Sequence, residues 1–234
     1  MMNHLIYAGK NSADFEVYIS GESTFTTPIR DIEVVDVPGR NGTLSIDHGR
    51  YANVNIPYPA FIAYDFRRNY DAFRAFMLSV NGYAELSDSY DEDHYRLARF
   101  NAEITPEMTQ LNRHGKFTIS FDCDPRRFRK DGKRVIEFED DGAVKNPTLY
   151  TALPLIRVYG TGTVTVGGIS VQIVTADGYT DINSEVQEAY KGSTNCNGNI
   201  VLTDGKFPEI APGVNQIELD GITKVEIIPH WWTI

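Results

Sequence analysis

Residues 68–82 read RNYDAFRAFMLSVNG, and this stretch decides which fold the rest of the chain can build. Its apolar residues recur at intervals of three and four, the spacing of an amphipathic helix: Tyr70, Phe73, Phe76, Met77 and Val80. Asn69 is a favourable N-cap, and Asn81-Gly82 supplies a stop signal. We therefore predict a helix at about residues 69–81. In a strand-rich chain its apolar face is expected to pack on a sheet.

Alternating apolar and polar residues on both sides of this helix predict β-strands. Phe15, Val17 and Ile19 alternate with polar neighbours before it, and residues 95–100 and 116–121 repeat the pattern after it. The first half of the chain is therefore predicted to be β-structure with one helix.

A hairpin is predicted in the segment before the helix. Ile32 and Val34 lead into Pro38-Gly39-Arg40-Asn41-Gly42, and Leu44 and Ile46 resume the alternation. Asn-Gly between two such runs is a strong hairpin signal, because both residues tolerate a positive φ. The turn is expected to project from the protein surface.

The composition changes in the middle of the chain. Basic residues are dense in 126–134 and acidic residues in 137–141, a pattern typical of a domain junction. Short β-branched runs separated by glycine turns follow, for example at 162–173, and favour a β-sandwich. We expect an N-terminal domain of residues 1–130 and a C-terminal sandwich of residues 131–234.

Bulk properties exclude several classes of function. The chain has 234 residues, a formal net charge of −10 and two distant cysteines, Cys123 and Cys196. The charge disfavours stable nucleic-acid binding, because phosphates require clustered cations. The cysteines form neither a disulfide framework nor a zinc motif. The N-terminus lacks the apolar run of a signal peptide, and no segment has the ~18 apolar residues of a membrane helix, so no membrane insertion is expected.

No pattern of catalytic or metal-binding residues is legible. The five histidines are scattered without metal-ligand spacing. The densest acidic stretch holds Asp88, Asp91, Glu92 and Asp93, but the residues that follow it do not fit a calcium loop. We interpret it as a solvated loop. We expect no catalytic residue, no cofactor and no metal.

Trp231 and Trp232 are the only tryptophans and stand close to the end of the sequence. They have two interpretations: stacking on a sugar ring, or anchoring a terminal strand with one face buried and the indole N–H paired. We favour structural anchoring, because terminal segments stay ordered only when something ties them down.

Five segments, taken in order, resemble the distal tail proteins of siphophages and prophages of Gram-positive bacteria. They are Val37–Leu44, Gly82–Asp91 with Tyr95–Ala98, Phe117–Pro125, Asn146-Pro147 with Ala152–Gly160, and Pro229–Trp232. Each segment is short, but together they extend over nearly the whole chain. The resemblance implies a mainly β fold. Its parts would be an α+β N-terminal belt domain with one helix, related to tail-tube proteins, and a C-terminal galectin-like β-sandwich.

The resemblance also implies an architectural function with no enzymatic activity. Such proteins form a ring at the distal end of the tail tube, act as an assembly hub for the baseplate, and let DNA pass. The implied state is a homohexamer at the virion tail tip, made in the cytoplasm of the bacterial host. The implied partners are the tail-tube protein, the tape-measure protein and tail-associated, fibre or receptor-binding proteins.

A ring needs a surface that contacts the next copy, and two projections are candidates for it. The first comprises Pro38, Gly39, Arg40, Asn41 and Gly42 of the hairpin, and the second comprises Asp88, Asp91 and Asp93 of the acidic loop. The competing interpretation of both is a plain surface turn.

Two other classes of function compete with the structural ring. The first is a carbohydrate-binding β-sandwich module for host-surface attachment, although the His-x-Asn-x-Arg cluster of galectins is absent. The second is a cell-wall hydrolase, which would need a placed acid and base or a metal centre.

Overall fold

The computed structural model describes residues 2–20, 25–109 and 113–234. They form two compact units, Met1–Arg127 with Ile234 and Phe128–Thr233. We call these the N-terminal unit and the C-terminal unit. Each has a hydrophobic core of its own.

The described part of the N-terminal unit is a mainly antiparallel sheet covered by one α-helix. The helix, α1, spans Phe66–Ser79, and a 3₁₀ turn spans Ser12–Phe15. The strands are β1 (Leu5–Tyr7), β2 (Lys10–Asn11), β3 (Val17–Ile19), β4 (Arg30–Asp36), β5 (Thr43–Tyr51), β6 (Val54–Ile62), β7 (Ala84–Asp88), β8 (His94–Arg99), β9 (Glu107–Thr109) and β10 (His114–Cys123). The sheet order is β2-β1-β7-β8-β10-β6-β3, with β9 beside β10, whereas β4 and β5 pair only with each other.

The core of this unit lies between α1 and one face of the sheet. The helix buries Phe66, Tyr70, Phe73 and Met77, which follow each other at intervals of four, three and four residues. The Phe117 ring of β10 lies 5.5 Å from that of Tyr70 and 6.1 Å from that of Phe73, between centroids. The interior positions of β6 and β10 alternate with half-buried or exposed ones. The predicted packing of the helix on a sheet is therefore confirmed.

The helix begins and ends earlier than the predicted range of 69–81. Its N-cap is Asp65, in a left-handed conformation with φ 44° and no capping hydrogen bond from its side chain. Asn69, the predicted cap, lies inside the helix and donates a hydrogen bond to the Tyr64 carbonyl at 2.9 Å. The extra turn arises because the Phe66 ring packs over Gly115, where a Cβ atom would lie only 2.2 Å from the ring. Burial of Phe66 thus outweighs the local capping signal.

The C-terminal part of the chain is a β-sandwich. Its strands are β11 (Arg127–Arg129), β12 (Ile136–Phe138), β13 (Gly142–Asn146), β14 (Leu155–Tyr159), β15 (Gly162–Val166), β16 (Ile169–Ile173), β17 (Tyr179–Asn183), β18 (Glu188–Lys191), β19 (Thr194–Asn195), β20 (Ile200–Leu202), β21 (Gly213–Asp220), β22 (Lys224–Ile228) and β23 (Trp232–Thr233). One sheet has the order β12-β22-β14-β17-β18-β19 and the other β13-β21-β15-β16-β20, while β23 pairs with β11. Aliphatic residues from both sheets share one core. The mainly β fold class is confirmed.

Truncation of the aromatic core is expected to destabilise the N-terminal unit. Phe73→Ala should lower the free energy of unfolding by about 3–5 kcal/mol, because Phe73 is fully buried and its removal leaves a cavity. Leu78→Ala on the exposed side of the same helix is the matched control and should change it by less than about 0.5 kcal/mol. Urea denaturation of both variants measures the difference. Similar losses in the two variants would contradict this packing.

Candidate self-association surface

The hairpin of β4 and β5 is separate from the other sheets, and we call residues 30–51 the arm. Its turn forms where the sequence predicts it: the Arg40 N–H donates to the Val37 carbonyl at 3.1 Å. Gly39 and Gly42 have φ values of 82° and 80°, which favour glycine. All five predicted contact residues, Pro38–Gly42, are exposed at this turn.

The outer half of the arm exposes aliphatic side chains. Val34 is 62% exposed, Leu44 40% and Ile46 42%. Val34 is paired with Ser45, and Ile46 with Glu33, so the apolar side chains lie on both faces of the ribbon. No residue of the arm belongs to either described core. A lone two-stranded ribbon is marginally stable in water, so these side chains favour a covering partner.

Two ion pairs lie at the end of the arm that is nearer to β6 in the chain. The Arg30 Nε lies 2.6 Å from Asp47 Oδ2, and the Arg50 Nε lies 2.6 Å from Asp31 Oδ2. The Arg50 guanidinium lowers the pKa of Asp31. These pairs are solvent-exposed and contribute little stability, because water screens them. They lie where the register of β4 and β5 shifts, between Arg30 and Ile32, and they leave the outer aliphatic side chains uncovered.

The acidic loop, by contrast, is partly built into the fold. Asp88, expected as a projection, is 8% exposed and accepts a hydrogen bond from the Tyr58 hydroxyl at 2.8 Å. Its other oxygen accepts from the backbone N–H groups of Tyr90 and Asp91, at 2.9 and 3.1 Å. The expectation that Asp88 projects is therefore wrong, because a carboxylate in this turn is needed to pair buried donors.

Asp91 forms the centre of a half-buried charge cluster. Its two carboxylate oxygens lie 2.7 Å from His94 Nδ1 and 2.5 Å from Arg127 Nη2. Burial alone would raise the pKa of Asp91, but the hydrogen bonds from Arg127 and His94 outweigh it, and the pKa is lowered. Asp93, two residues further on, is exposed. Of the three acidic residues that we predict to contact the next copy, only Asp93 is exposed to solvent.

The sequence did not predict that Arg96 and Arg127 lie beside this loop. Arg96 is 6% exposed and donates to the Pro125 carbonyl at 3.1 Å, and burial lowers its pKa. Arg127 belongs to the basic stretch that was interpreted as a domain junction. The alternation of β8 indicates which positions are interior, but it does not show which arginines pair with which carboxylates.

The two tryptophans hold the terminal segment of the C-terminal unit. Trp231 is buried within its core, and its backbone N lies so close to Gly132 that a Cβ there would be 2.5 Å away. The Trp232 Nε1 donates to the Thr151 carbonyl at 3.0 Å, and its ring stacks on Tyr150 with centroids 4.4 Å apart. These are the contacts that anchoring requires, and Tyr150 covers one face of the Trp232 ring.

A second aromatic surface lies on the outer face of the sandwich sheet that contains β14 and β17. Arg157 makes a two-pronged pair with the buried Asp181, at 2.7 and 2.9 Å, and its guanidinium lies 4.3 Å from the Tyr179 ring centroid. Lys224 lies 5.6 Å from the Tyr159 ring centroid. Hydrogen bonding to Asp181 raises the pKa of Arg157. Cations therefore lie over both tyrosine rings, which disfavours sugar stacking.

Residues 2–20, 25–109 and 113–234 contain no group of three or more His, Cys, Asp or Glu side chains arranged to hold a metal ion. Over the same ranges, no helix has both the length and the apolar character needed to cross a membrane.

Comparison with known proteins places this architecture among phage hub and baseplate structures. No family model and no curated protein matches the sequence. Among solved structures, the chain is similar to the SPP1 Dit (gp 19.1) protein, described as a paradigm of the hub adsorption apparatus in phages that infect Gram-positive bacteria. The TM-score is 0.75 at 12% identity, over 97% of this chain and 98% of that one.

Two baseplate structures extend this likeness. The phage P2 baseplate in its activated conformation with Ca matches with a TM-score of 0.54 at 13% identity, and the same baseplate with Sr matches with 0.56 at 12%. Each match covers 97% of both chains. The chain therefore has the fold of a distal tail hub protein, and the resemblance predicted from the sequence is confirmed at the level of the fold.

We predict that Asp91 contributes to the stability of the fold, whereas Asp93 of the same loop does not. Asp91→Asn should cost about 1–3 kcal/mol of stability at pH 7, because it leaves Arg127 and His94 without their carboxylate. The pKa of Asp91 is below its ordinary 3.8, so its contribution is present above about pH 4 and is lost as the pH falls through the lowered value.

The measurement is thermal and urea unfolding of the wild type and the variant between pH 7 and pH 2. Their stabilities should converge towards the acidic end of this range. Asp93→Asn is the matched control, because Asp93 is exposed, and it should behave as the wild type at every pH. A constant gap between Asp91→Asn and the wild type down to pH 2 would argue against this role.

Proposed function

We propose that this protein is a structural component of a phage tail tip and forms a ring at the distal end of the tail tube. The arm carries this proposal. Its exposed aliphatic half is attached to a fold shared with phage hub and baseplate proteins, and it needs a partner to cover it.

Ring closure follows from repeating one contact between different surfaces of successive copies around an axis. The arm is suited to such a contact, since a strand of nine residues, β5, extends roughly 30 Å at ~3.3 Å per residue. The residues proposed to touch the next copy are Pro38–Gly42 and Asp93. Six copies is the number implied by the resemblance to distal tail proteins.

We propose that the two parts of the chain have different functions. Residues 1–130 would form the ring, and the sandwich of residues 131–234 would serve as a docking platform for baseplate, fibre or receptor-binding proteins. The tail-tube and tape-measure proteins would contact the ring from the tail side. The protein would be made in the bacterial host cytoplasm and end at the virion tail tip, with no catalytic role.

Carbohydrate binding is the competing proposal and has less support. Cations lie over Tyr159 and Tyr179, and Trp232 is stacked on Tyr150, so these rings have a face already in use. Titration calorimetry with galactosides is expected to show no heat of binding. Saturable heat would move the lectin interpretation to first place.

Ring assembly is tested by polar substitution of the arm. The wild type should form rings with a central hole in negative-stain micrographs at high concentration. Val34→Asp combined with Leu44→Asp should abolish them without lowering the melting temperature, because both side chains are exposed in the single copy. Val186→Asp, at a similarly exposed aliphatic position of the C-terminal unit, is the control and should assemble normally.

A wild-type protein that stays monomeric at its highest soluble concentration, and that is missing from purified tails, would not be a tail-tip ring.

DNA is expected to pass the protein without being retained. The net charge of −10 repels phosphates. A gel-shift titration with duplex DNA at low salt should therefore show no complex at micromolar protein. Micromolar binding under these conditions would contradict a conduit role.

A further inference from the structure

The chain contains three Asn-Gly pairs, Asn41-Gly42, Asn81-Gly82 and Asn197-Gly198, and they lie in different environments. An asparagine followed by glycine is prone to deamidation, because glycine has no side chain to hinder attack by its backbone nitrogen on the asparagine side chain. In a folded protein the reaction also requires the backbone to leave its native conformation, and the free energy of that opening differs from site to site. The structure therefore ranks the three pairs.

Asn41 and Gly42 belong to the loop that connects β4 and β5 of the arm. Both are exposed, and a Cβ atom added at Gly42 would meet nothing within 4 Å, so the Gly42 nitrogen has open space around it. Among the residues that the structure describes, neither the Asn41 side chain nor the Gly42 N–H has a hydrogen-bond partner. No residue of the arm belongs to either described core, so little packing opposes the rotation that the reaction needs.

Asn197 is held in a conformation that opposes the reaction. It begins a 3₁₀ turn that spans Asn197–Asn199, and its Oδ1 accepts a hydrogen bond from the Ala189 N–H at 2.6 Å. Its own N–H donates to Asn195 Oδ1 at 3.0 Å. In a helical backbone the nitrogen of the following residue lies away from the side-chain carbonyl carbon, so these bonds must break before attack can occur.

Asn81 is intermediate between these two sites. It is exposed, and Gly82 has a φ of 73°, close to the 80° of Gly42. The residues on both sides are restrained, however, because Val80 and Ala84 pack against the core of the N-terminal unit. Opening at Asn81 therefore disturbs core contacts, which opening in the arm does not.

We propose that Asn41 is a deamidation site and that it reacts fastest of the three pairs in the folded protein. The Gly42 nitrogen gives up its proton and attacks Asn41 Cγ, so that a C–N bond forms while the bond from Cγ to the amide nitrogen breaks. The amide nitrogen takes up a proton and leaves as ammonia, and a five-membered succinimide remains. Water then opens this ring at either carbonyl and gives aspartate or isoaspartate, without any oxidant or reductant.

The products change the outer end of the arm. Either product places a carboxylate next to Arg40 in the chain, where the side chain was uncharged, and isoaspartate also adds one carbon atom to the main chain of the loop. In the proposed ring Pro38–Gly42 contact the next copy, so both changes weaken that contact, and the contact in turn shields an assembled copy from the reaction. This consequence rests on the proposed function, whereas the reaction itself does not.

Mass spectrometry of peptides from the whole protein, incubated in mildly alkaline buffer and sampled over time, measures all three pairs in one sample. Asn41 should convert faster than Asn81 and at least about tenfold faster than Asn197. Aspartate and isoaspartate forms should both appear, because direct hydrolysis of the amide would give aspartate alone. In urea the three rates should lie within about threefold of one another, because the unfolded chain leaves each pair equally free.

Asn41→Ser removes the reacting amide and is the matched control for the effect on assembly. After incubation the wild type should need at least about threefold more protein to assemble than before, whereas incubated Asn41→Ser should assemble like the fresh variant. Conversion of Asn41 no faster than that of Asn197 in the folded protein, or aspartate as the sole product, would overturn the proposed site. If Asn41 converts as expected but neither fresh protein assembles, the site stands and the proposed ring fails.

Discussion

The N-terminal unit depends on the contact between one aromatic helix face and one pair of long strands. Phe66, Tyr70 and Phe73 of α1 pack around Phe117 of β10, and the paired strand β6 supplies the neighbouring interior positions. Burial of aromatic side chains contributes most of the free energy that holds a unit of this size together. Every other feature of the unit, including the arm and the acidic loop, is attached to this helix-on-sheet layer.

The core of this layer contains no residue of the arm. Exposed ion pairs link its two strands near Arg30 and Arg50, and its outer aliphatic side chains belong to neither described core. An exposed apolar ribbon is an aggregation hazard for a protein that acts alone. The neighbouring copy of the proposed ring would cover these side chains and remove that hazard.

The acidic loop shows how the same residue type acquires opposite roles within six positions. Asp88 pairs buried donors, Asp91 balances two half-buried basic groups, and Asp93 is exposed to solvent. In the C-terminal sandwich, aromatic residues are likewise paired within the fold. Arg157 lies over the Tyr179 ring and Lys224 over the Tyr159 ring, so both rings already have a partner within the sheet.

The sequence by itself determined the mainly β architecture, the single helix, the hairpin turn and the β-sandwich, because these depend on periodicity and turn chemistry within short windows. Only the tertiary structure decided that the helix begins at Phe66, because Gly115 lies far away in the chain and makes room for that ring. Tertiary structure also decided that Asp88 is buried and that Asp91 pairs with Arg127. Such arrangements join residues from strands distant in sequence, and no local pattern records which of them meet.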